Sequence, residues 1–205
     1  MCLKLKLFFW LSLTLIYKAN AFTYEFDPDP TKLLQRCENV SENVLALEEA
    51  IDMTQMTVQP LEDDHSVRFS GNMTMQWKGV EPGDTISFLF QLMDFDEYTQ
   101  SWKPSIFKAD SKNICPEVFS KNKYWYQYFT KHITNKDEVE DKCISVHGLL
   151  IQYETFEILL KGNLGFVPNL TGTKKVIILF EAFDKNLQKR PYSFCTQVVG
   201  EVRQL

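Results

Sequence analysis

The strongest constraint on the fold is a period-two alternation of apolar and polar residues in two neighbouring segments. Over residues 66–77 the large apolar side chains occupy odd positions, and over residues 85–92 they occupy even positions. Successive side chains of a strand point to opposite faces of a sheet, so each segment predicts a strand with one buried face. Turn residues at Lys78-Gly79 and Pro82-Gly83-Asp84 separate the segments. We therefore expect the two strands to pair as an antiparallel hairpin.

Further short strands follow from weaker alternation along the rest of the chain. They are predicted at residues 45–58, 147–152, 155–161, 174–183 and 192–202, with a turn at 184–191 between the last two. Recurrent strands with polar outer faces are typical of an antiparallel β-sandwich or β-cup. Residues 116–133 are the exception, because their apolar side chains recur every three to four positions and predict one short helix. The predicted fold class is mainly β.

The first 21 residues have the pattern of a secretory signal peptide. Lys4 and Lys6 precede an apolar run over residues 7–17, and Ala19-Asn20-Ala21 places small residues before the cleavage point. The apolar run is too short to cross a bilayer, which takes about 20 residues. We therefore expect a secreted, extracellular protein whose residues 22–205 form a single domain.

The charge balance disfavours nucleic acid as a partner. The whole chain has a net charge of −5. Removing Lys4, Lys6 and Lys18 with the leader leaves 19 basic against 27 acidic residues, a net charge of −8. Nucleic-acid binding uses basic surfaces that displace phosphate counterions. We therefore expect no nucleic-acid partner.

Four cysteines remain after the leader is removed, namely Cys37, Cys115, Cys143 and Cys195. An even number in an exported chain predicts two disulfides. Their spacing permits three pairings and does not choose between them. A metal site would use close ligand pairs such as Cys-x-x-Cys, which the sequence lacks, so we expect no metal.

Three Asn-x-Ser/Thr triplets are candidate glycosylation sites, at Asn39, Asn72 and Asn169. Asn72 lies on the polar face of the first predicted strand. A glycan at that position would leave core packing undisturbed.

The sequence lacks the motifs of the common catalytic sites. Nucleophile elbows, zinc-protease helices and phosphate-binding glycine loops are all missing. The histidines are dispersed, at His65, His132 and His147. Asp94, Asp96 and Glu97 lack the glycine-containing spacing of a calcium loop and indicate a solvated hairpin end. We expect no enzyme activity and no cofactor.

The apolar positions of the predicted strands form inward-facing rows. Such rows fill the core of a sandwich, or line a cavity where the two sheets splay apart. An apolar cavity suits an alkyl chain, because each buried methylene contributes about 0.8 kcal/mol, whereas a charged group would be left unpaired there. The candidate cavity residues are Phe69, Met73, Met75, Trp77, Ile86, Phe88, Phe90, Leu92, Phe156, Ile158 and Phe180.

An ordered set of short motifs resembles the insect chemosensory B family and covers nearly all of the chain after the leader. The motifs are Cys37, Ser70-Gly71-Asn72-Met73-Thr74, Trp102-Lys103-Pro104-Ser105-Ile106, Cys115, Tyr124-Trp125-Tyr126, Lys131-His132, Asn135-Lys136-Asp137-Glu138, Cys143, Phe180-Glu181-Ala182-Phe183-Asp184 and Cys195. That family is similar in turn to the ganglioside-activator type of the MD-2-related lipid-recognition fold.

This resemblance implies a cup of two antiparallel sheets around an apolar cavity. It also implies a bond between the first and last cysteines, and hence the pairs Cys37–Cys195 and Cys115–Cys143. The function implied is that of a secreted, non-enzymatic carrier of a long-chain lipid or a cuticular-hydrocarbon-like semiochemical, used in the perception of pheromone or taste cues. The expected partners are the hydrophobic small molecule or lipid and a membrane receptor.

A second hypothesis starts from the aromatic run at residues 124–129, together with Trp102. Trp and Tyr are favoured anchors of protein interfaces. On this hypothesis the protein is a secreted glycoprotein interaction module that docks a receptor through an exposed aromatic surface and holds no internal ligand. Space between the sheets favours the carrier, whereas tight packing with solvent-facing Trp125 and Tyr128 favours the module.

Overall fold

A computed structural model describes residues 23–61, 66–163 and 170–205. The predicted signal peptide, Asn169 and His65 lie outside the described residues. The strands are β1 (Thr23–Pro28), β2 (Gln35–Arg36), β3 (Val44–Leu45), β4 (Ile51–Asp52), β5 (Met56–Pro60), β6 (Ser66–Met75), β7 (Thr85–Asp96), β8 (Ser101–Ser111), β9 (Leu150–Leu159), β10 (Lys161–Asn163), β11 (Gly172–Phe183) and β12 (Ser193–Gln204). Nearly all the strand pairs are antiparallel, which confirms the predicted mainly β fold.

The helices are short and concentrated between the two central cysteines. They are α1 (Leu47–Ala50), α2 (Cys115–Val118), α3 (Tyr124–Tyr128) and α4 (Lys136–Val139), with 3-10 turns at Pro30–Lys32 and Thr130–His132. The predicted helix over 116–133 is thus divided into α2, α3 and a 3-10 turn. Polar residues 120–123 interrupt it, because they form a turn between α2 and α3.

The large sheet has the strand order β10-β1-β12-β11-β7-β8. Strands β2 and β3 add short pairings to β12, and the β3 pairing is the parallel one. Strands β11 and β7 pair over ten residues, from Lys174 opposite Asp94 to Phe183 opposite Thr85. Both strands are flanked on each side, so their side chains project only above and below the sheet.

The small sheet is built around β6. Strand β9 pairs with one edge of β6, and β4 and β5 share the other edge. A bulge in β9, between Tyr153 and Phe156, shifts its register against β6 between Phe69 and Gly71. Gly71 has φ +107°, and a Cβ there would lie 2.1 Å from the carbonyl oxygen of Gln55. This close approach of β6 to the turn before β5 therefore requires glycine.

The predicted hairpin between residues 66–77 and 85–92 is wrong. Strand β6 belongs to the small sheet and β7 to the large one, so the segment 76–84 crosses between sheets. Trp77 explains the crossing, because its ring is buried and its Nε1 donates to the carbonyl oxygen of Tyr192, 3.1 Å away. Asp84 accepts two hydrogen bonds from Arg190, of 2.8 and 2.9 Å, and fixes the far end of the crossing.

Three further strand predictions differ from the structure. Residues 45–58 hold α1 between the short strands β3, β4 and β5, because Glu49 caps this turn by accepting a hydrogen bond from the Ala46 N–H. The predicted strands at 147–152 and 155–161 overlap one continuous strand, β9, that contains a bulge.

Strand β8 was not predicted, since Pro104 and many polar residues hide its pattern. The irregularity in β8 is filled by the Gln91 amide, which donates to the carbonyl oxygens of Ser105 and Phe107.

Two disulfides are present, with the pairing that the resemblance implied. Cys37–Cys195, here called the terminal disulfide, links residues 158 positions apart, and Cys115–Cys143, the central disulfide, links residues 28 positions apart. Such bonds indicate an oxidising environment. Within the described ranges, no helix is long and apolar enough to span a bilayer.

Candidate ligand-binding interior

The inner face of the large sheet is apolar and unevenly packed. Cross-strand pairs of β7 and β11 form four successive rows there, namely Ile86–Ala182, Phe88–Phe180, Phe90–Ile178 and Leu92–Val176. Ile86 and Ala182 are completely buried at one end, and Leu92 is 8% exposed near the other. The two middle rows are only half-buried.

The middle rows keep some exposure although they lie on central strands. Strands β7 and β11 have neighbours on both edges, so solvent reaches Phe90 and Ile178 only from above the sheet. Close-packed interiors leave few voids larger than a water molecule. Solvent therefore reaches the Phe90–Ile178 row, next to the Phe88–Phe180 row whose rings contact Trp125.

The small sheet contributes a second apolar face. Met75 and Ile151 are buried there and pack against Ile133 and Val139 of the helical segment. Further along the same face, Phe69 stacks on Phe156 with ring centroids 5.4 Å apart. One end of this face is thus covered by helices, and the other carries aromatic rings.

A series of aromatic contacts connects the two sheets, and we call it the aromatic bridge. Its rings belong to Phe180, Phe88, Trp125, Phe129 and Phe156, with successive centroid distances of 5.2, 5.0, 5.9 and 6.4 Å. Trp125 and Phe129 are four residues apart, at the spacing that places helical side chains on the same face. Helix α3 and the residue that follows it therefore place Trp125 and Phe129 in contact with rings of both sheets.

The predicted cavity residues divide into two groups in the structure. Met75, Trp77, Ile86, Leu92 and Phe156 are buried within packed side chains. The half-buried group consists of Phe69, Met73, Phe88, Phe90, Ile158 and Phe180. The structure adds Ile178, Trp125, Phe129 and Tyr153 to the interior. The parity of Ile178 with Phe180 was a usable signal for the first of these, and helical spacing was one for Trp125 and Phe129.

One end of the apolar face carries a charged pair. Lys174 shares the parity of Ile178 and is buried, and its Nζ lies 2.8 Å from a carboxylate oxygen of Asp94. Asp94, predicted at a solvated hairpin end, is partly exposed and neutralises this lysine. The face is therefore apolar in its middle and ionic at its edge.

Trp102 and Trp125 lie on opposite faces of the large sheet. Trp102 packs on Phe95, and the Lys175 ammonium lies 4.5 Å from its ring centroid. The same ammonium is 2.6 Å from Glu38, the neighbour of Cys37. The amino-terminal segment therefore helps to cover the outer face, and Trp102 does not join the aromatic run at 124–129.

The outward side of α3 is exposed to solvent and carries two tyrosines bordered by polar side chains. Tyr124 is 81% exposed and Tyr128 is 42% exposed, and their rings stack 6.2 Å apart. They border a depression of about 360 Å³ that is also lined by Asn122, Lys123, Gln127 and Lys131. We call it the tyrosine depression.

His132 is held at the rim of the interior. Its ring stacks on Phe156 at 4.4 Å, and its Nδ1 lies 2.8 Å from a Glu154 carboxylate oxygen. His147 is exposed. Among the described residues, no three His, Cys, Asp or Glu side chains are grouped so that they could hold a metal ion.

Two of the predicted glycosylation sites lie in the described chain. Asn39 is exposed beside the terminal disulfide. Asn72 is half-buried, and its Nδ2 lies 3.4 Å from the side-chain oxygen of Gln55.

Comparison with known proteins gives no family assignment. No family model matches the chain, and no curated protein matches it.

Proposed function

We propose that the protein is a secreted, non-enzymatic carrier of a hydrophobic ligand, either a long-chain lipid or a cuticular-hydrocarbon-like semiochemical. The observation that carries the proposal is the half-buried pair Phe90–Ile178 in the middle of two central strands. The resemblance to the insect chemosensory B family supports a role in pheromone or taste perception. The leader pattern and the two disulfides support secretion.

The free energy of burying an alkyl chain is large enough to support binding without a polar anchor. About twelve buried methylenes contribute roughly 10 kcal/mol, and association costs at least about 4 kcal/mol. The remaining free energy of about 6 kcal/mol corresponds to a dissociation constant of tens of micromolar, on the order of 40 μM. A guest of this kind therefore binds usefully through its chain alone.

Adjacent isoleucines on opposite faces of β11 provide a matched test. Ile178 faces Phe90 and Thr196 on the inner side, whereas Ile177 faces Gln91 and Gln197 on the outer side. Ile178→Trp fills the inner space, and we expect it to weaken displacement of a fluorescent fatty-acyl probe at least tenfold. Ile177→Trp adds the same volume outside and should leave binding within about twofold of wild type.

Native mass spectrometry with chains of 14 to 24 carbons gives an independent readout, and thermal melting shows whether each variant folds. Absence of binding by the wild-type protein, or equal losses in the two folded variants, contradicts the carrier proposal.

The tyrosine depression favours a second candidate function, docking to a membrane receptor. Tyr124 and Tyr128 present solvent-exposed aromatic rings, and such rings often anchor protein interfaces. The double variant Tyr124→Ala/Tyr128→Ala should lose saturable binding to sensory-cell membranes while keeping acyl-probe binding. If the wild-type protein binds these membranes but no acyl chain, the interaction module replaces the carrier. If the double variant binds membranes like wild type, the docking role is wrong.

A further inference from the structure

Tyr153 brings a hydroxyl group to the apolar face of the small sheet. It lies in β9 opposite Gly71 of β6 and packs with Met75 and Ile151. Its ring centroid is 5.6 Å from that of Phe156, the last ring of the aromatic bridge. Tyr153 therefore stands where the bridge meets the small sheet.

The hydroxyl has no hydrogen-bond partner in the part of the chain that the structure describes. Burial raises the pKa of Tyr153 well above its usual value, and desolvation is the sole cause. Buried tyrosine hydroxyls normally find a partner, because an unsatisfied polar group in an apolar interior is unfavourable. The interior thus holds a donor that the protein itself leaves unused.

Tyr153 also remains accessible to a guest. Its neighbours Ile151 and Phe156 are 2% and 5% exposed, whereas Tyr153 is half-buried. Phe69 and Met73, on the neighbouring strand β6, are half-buried as well. Tyr153 therefore keeps accessible surface next to two other partly exposed residues of the apolar face.

We propose that the Tyr153 hydroxyl donates a hydrogen bond to a neutral oxygen of the guest. The ligand class is then an oxygenated long-chain molecule, such as an ester, ketone, aldehyde or alcohol, in place of a plain hydrocarbon. A neutral phenol satisfies a neutral oxygen without stranding a charge in an apolar interior. This inference rests on the proposed carrier function and specifies the guest.

Matched ligands and a matched variant test it. Methyl palmitate and n-heptadecane have similar length and differ in the ester oxygens. We expect the wild-type protein to bind the ester at least tenfold more tightly in displacement of a fluorescent acyl probe. Tyr153→Phe should remove that preference and leave heptadecane binding within twofold. The control Tyr126→Phe should retain the preference, because the Tyr126 ring is not part of the aromatic bridge and lies 5.9 Å from the Lys136 ammonium.

A second readout needs no ligand. Tyr153→Phe deletes an unpartnered hydroxyl, so its melting temperature without ligand should equal or exceed that of wild type. A clear fall would reveal a protein partner and overturn the inference. Equal affinity of the wild-type protein for methyl palmitate and n-heptadecane overturns this inference alone. Failure of both ligands to bind overturns the carrier function and the inference together.

Discussion

The close contact at Gly71 makes Gly71→Ala a quantitative test of the small sheet. The added Cβ would lie 2.1 Å from the Gln55 carbonyl oxygen, and the residue would have to keep φ +107°. Adopting a positive φ costs a non-glycine residue roughly 1–2 kcal/mol. Moving Gln55 away also breaks the 3.1 Å hydrogen bond from the Asn72 N–H to its carbonyl oxygen, at a further cost of about 1–3 kcal/mol.

The two contributions together predict a loss of about 2–5 kcal/mol for Gly71→Ala. Gly83→Ala is the matched control, because Gly83 has φ +88° and an added Cβ would meet no described atom within 4 Å. The control carries only the conformational cost of about 1–2 kcal/mol.

Thermal and urea unfolding, followed by far-ultraviolet circular dichroism, measures both variants. A domain of this size loses about 2–4 °C per kcal/mol, so we expect a fall of about 10 °C for Gly71→Ala and about 4 °C for Gly83→Ala. A loss at position 71 no larger than at position 83 would refute the argument, because it would show that β6 and the Gln55 turn can separate freely.

Two other predictions concern the disulfides and acid stability. Replacing both cysteines of the terminal disulfide by alanine should cost about 5 kcal/mol in the chain-entropy estimate, against about 3.6 kcal/mol for the central disulfide, from loops of 158 and 28 positions. Urea unfolding measures the free energy of unfolding of both variants. A larger loss for the central disulfide than for the terminal one would contradict the prediction. A hydrogen bond from Lys103 is the main cause that lowers the pKa of Asp96 from 3.8 to about 2. The ionised carboxylate therefore stabilises the fold above pH about 4, and this contribution is lost as the pH falls toward 2. Lys103→Met should raise the Asp96 pKa in an NMR titration and reduce that acid-dependent loss; an unchanged pKa would contradict the assignment.

The sequence predicted the strands where one face is buried and the other is wet. Strand β6 alternates cleanly because its inward residues meet Phe156 and its outward Arg68 pairs with Glu157. Strand β8 escaped prediction because it is an edge strand, where Pro104 is tolerated and no strict pattern is required. Local alternation thus reports burial, and edge strands carry little of that signal.

The local alternation of apolar and polar residues does not show which sheet each strand joins. Strands β6 and β7 both show an apolar face and a turn between them, yet they separate because Trp77 packs with Phe194 of the large sheet, 4.8 Å away. That contact joins residues far apart in sequence. The candidate site was affected in the same way, since a register shift between Tyr153 and Phe156 brings both rings to one face, whereas strict alternation would put them on opposite faces.

The terminal disulfide determines how the molecule would respond to mechanical force. Strand β1 pairs antiparallel with the end of β12, Tyr24 opposite Gln204, so pulling on these two ends would open the ladder one rung at a time. The tear would halt at Cys37 and Cys195, where a covalent link takes the load. The chain between those cysteines would carry no load until the disulfide was reduced.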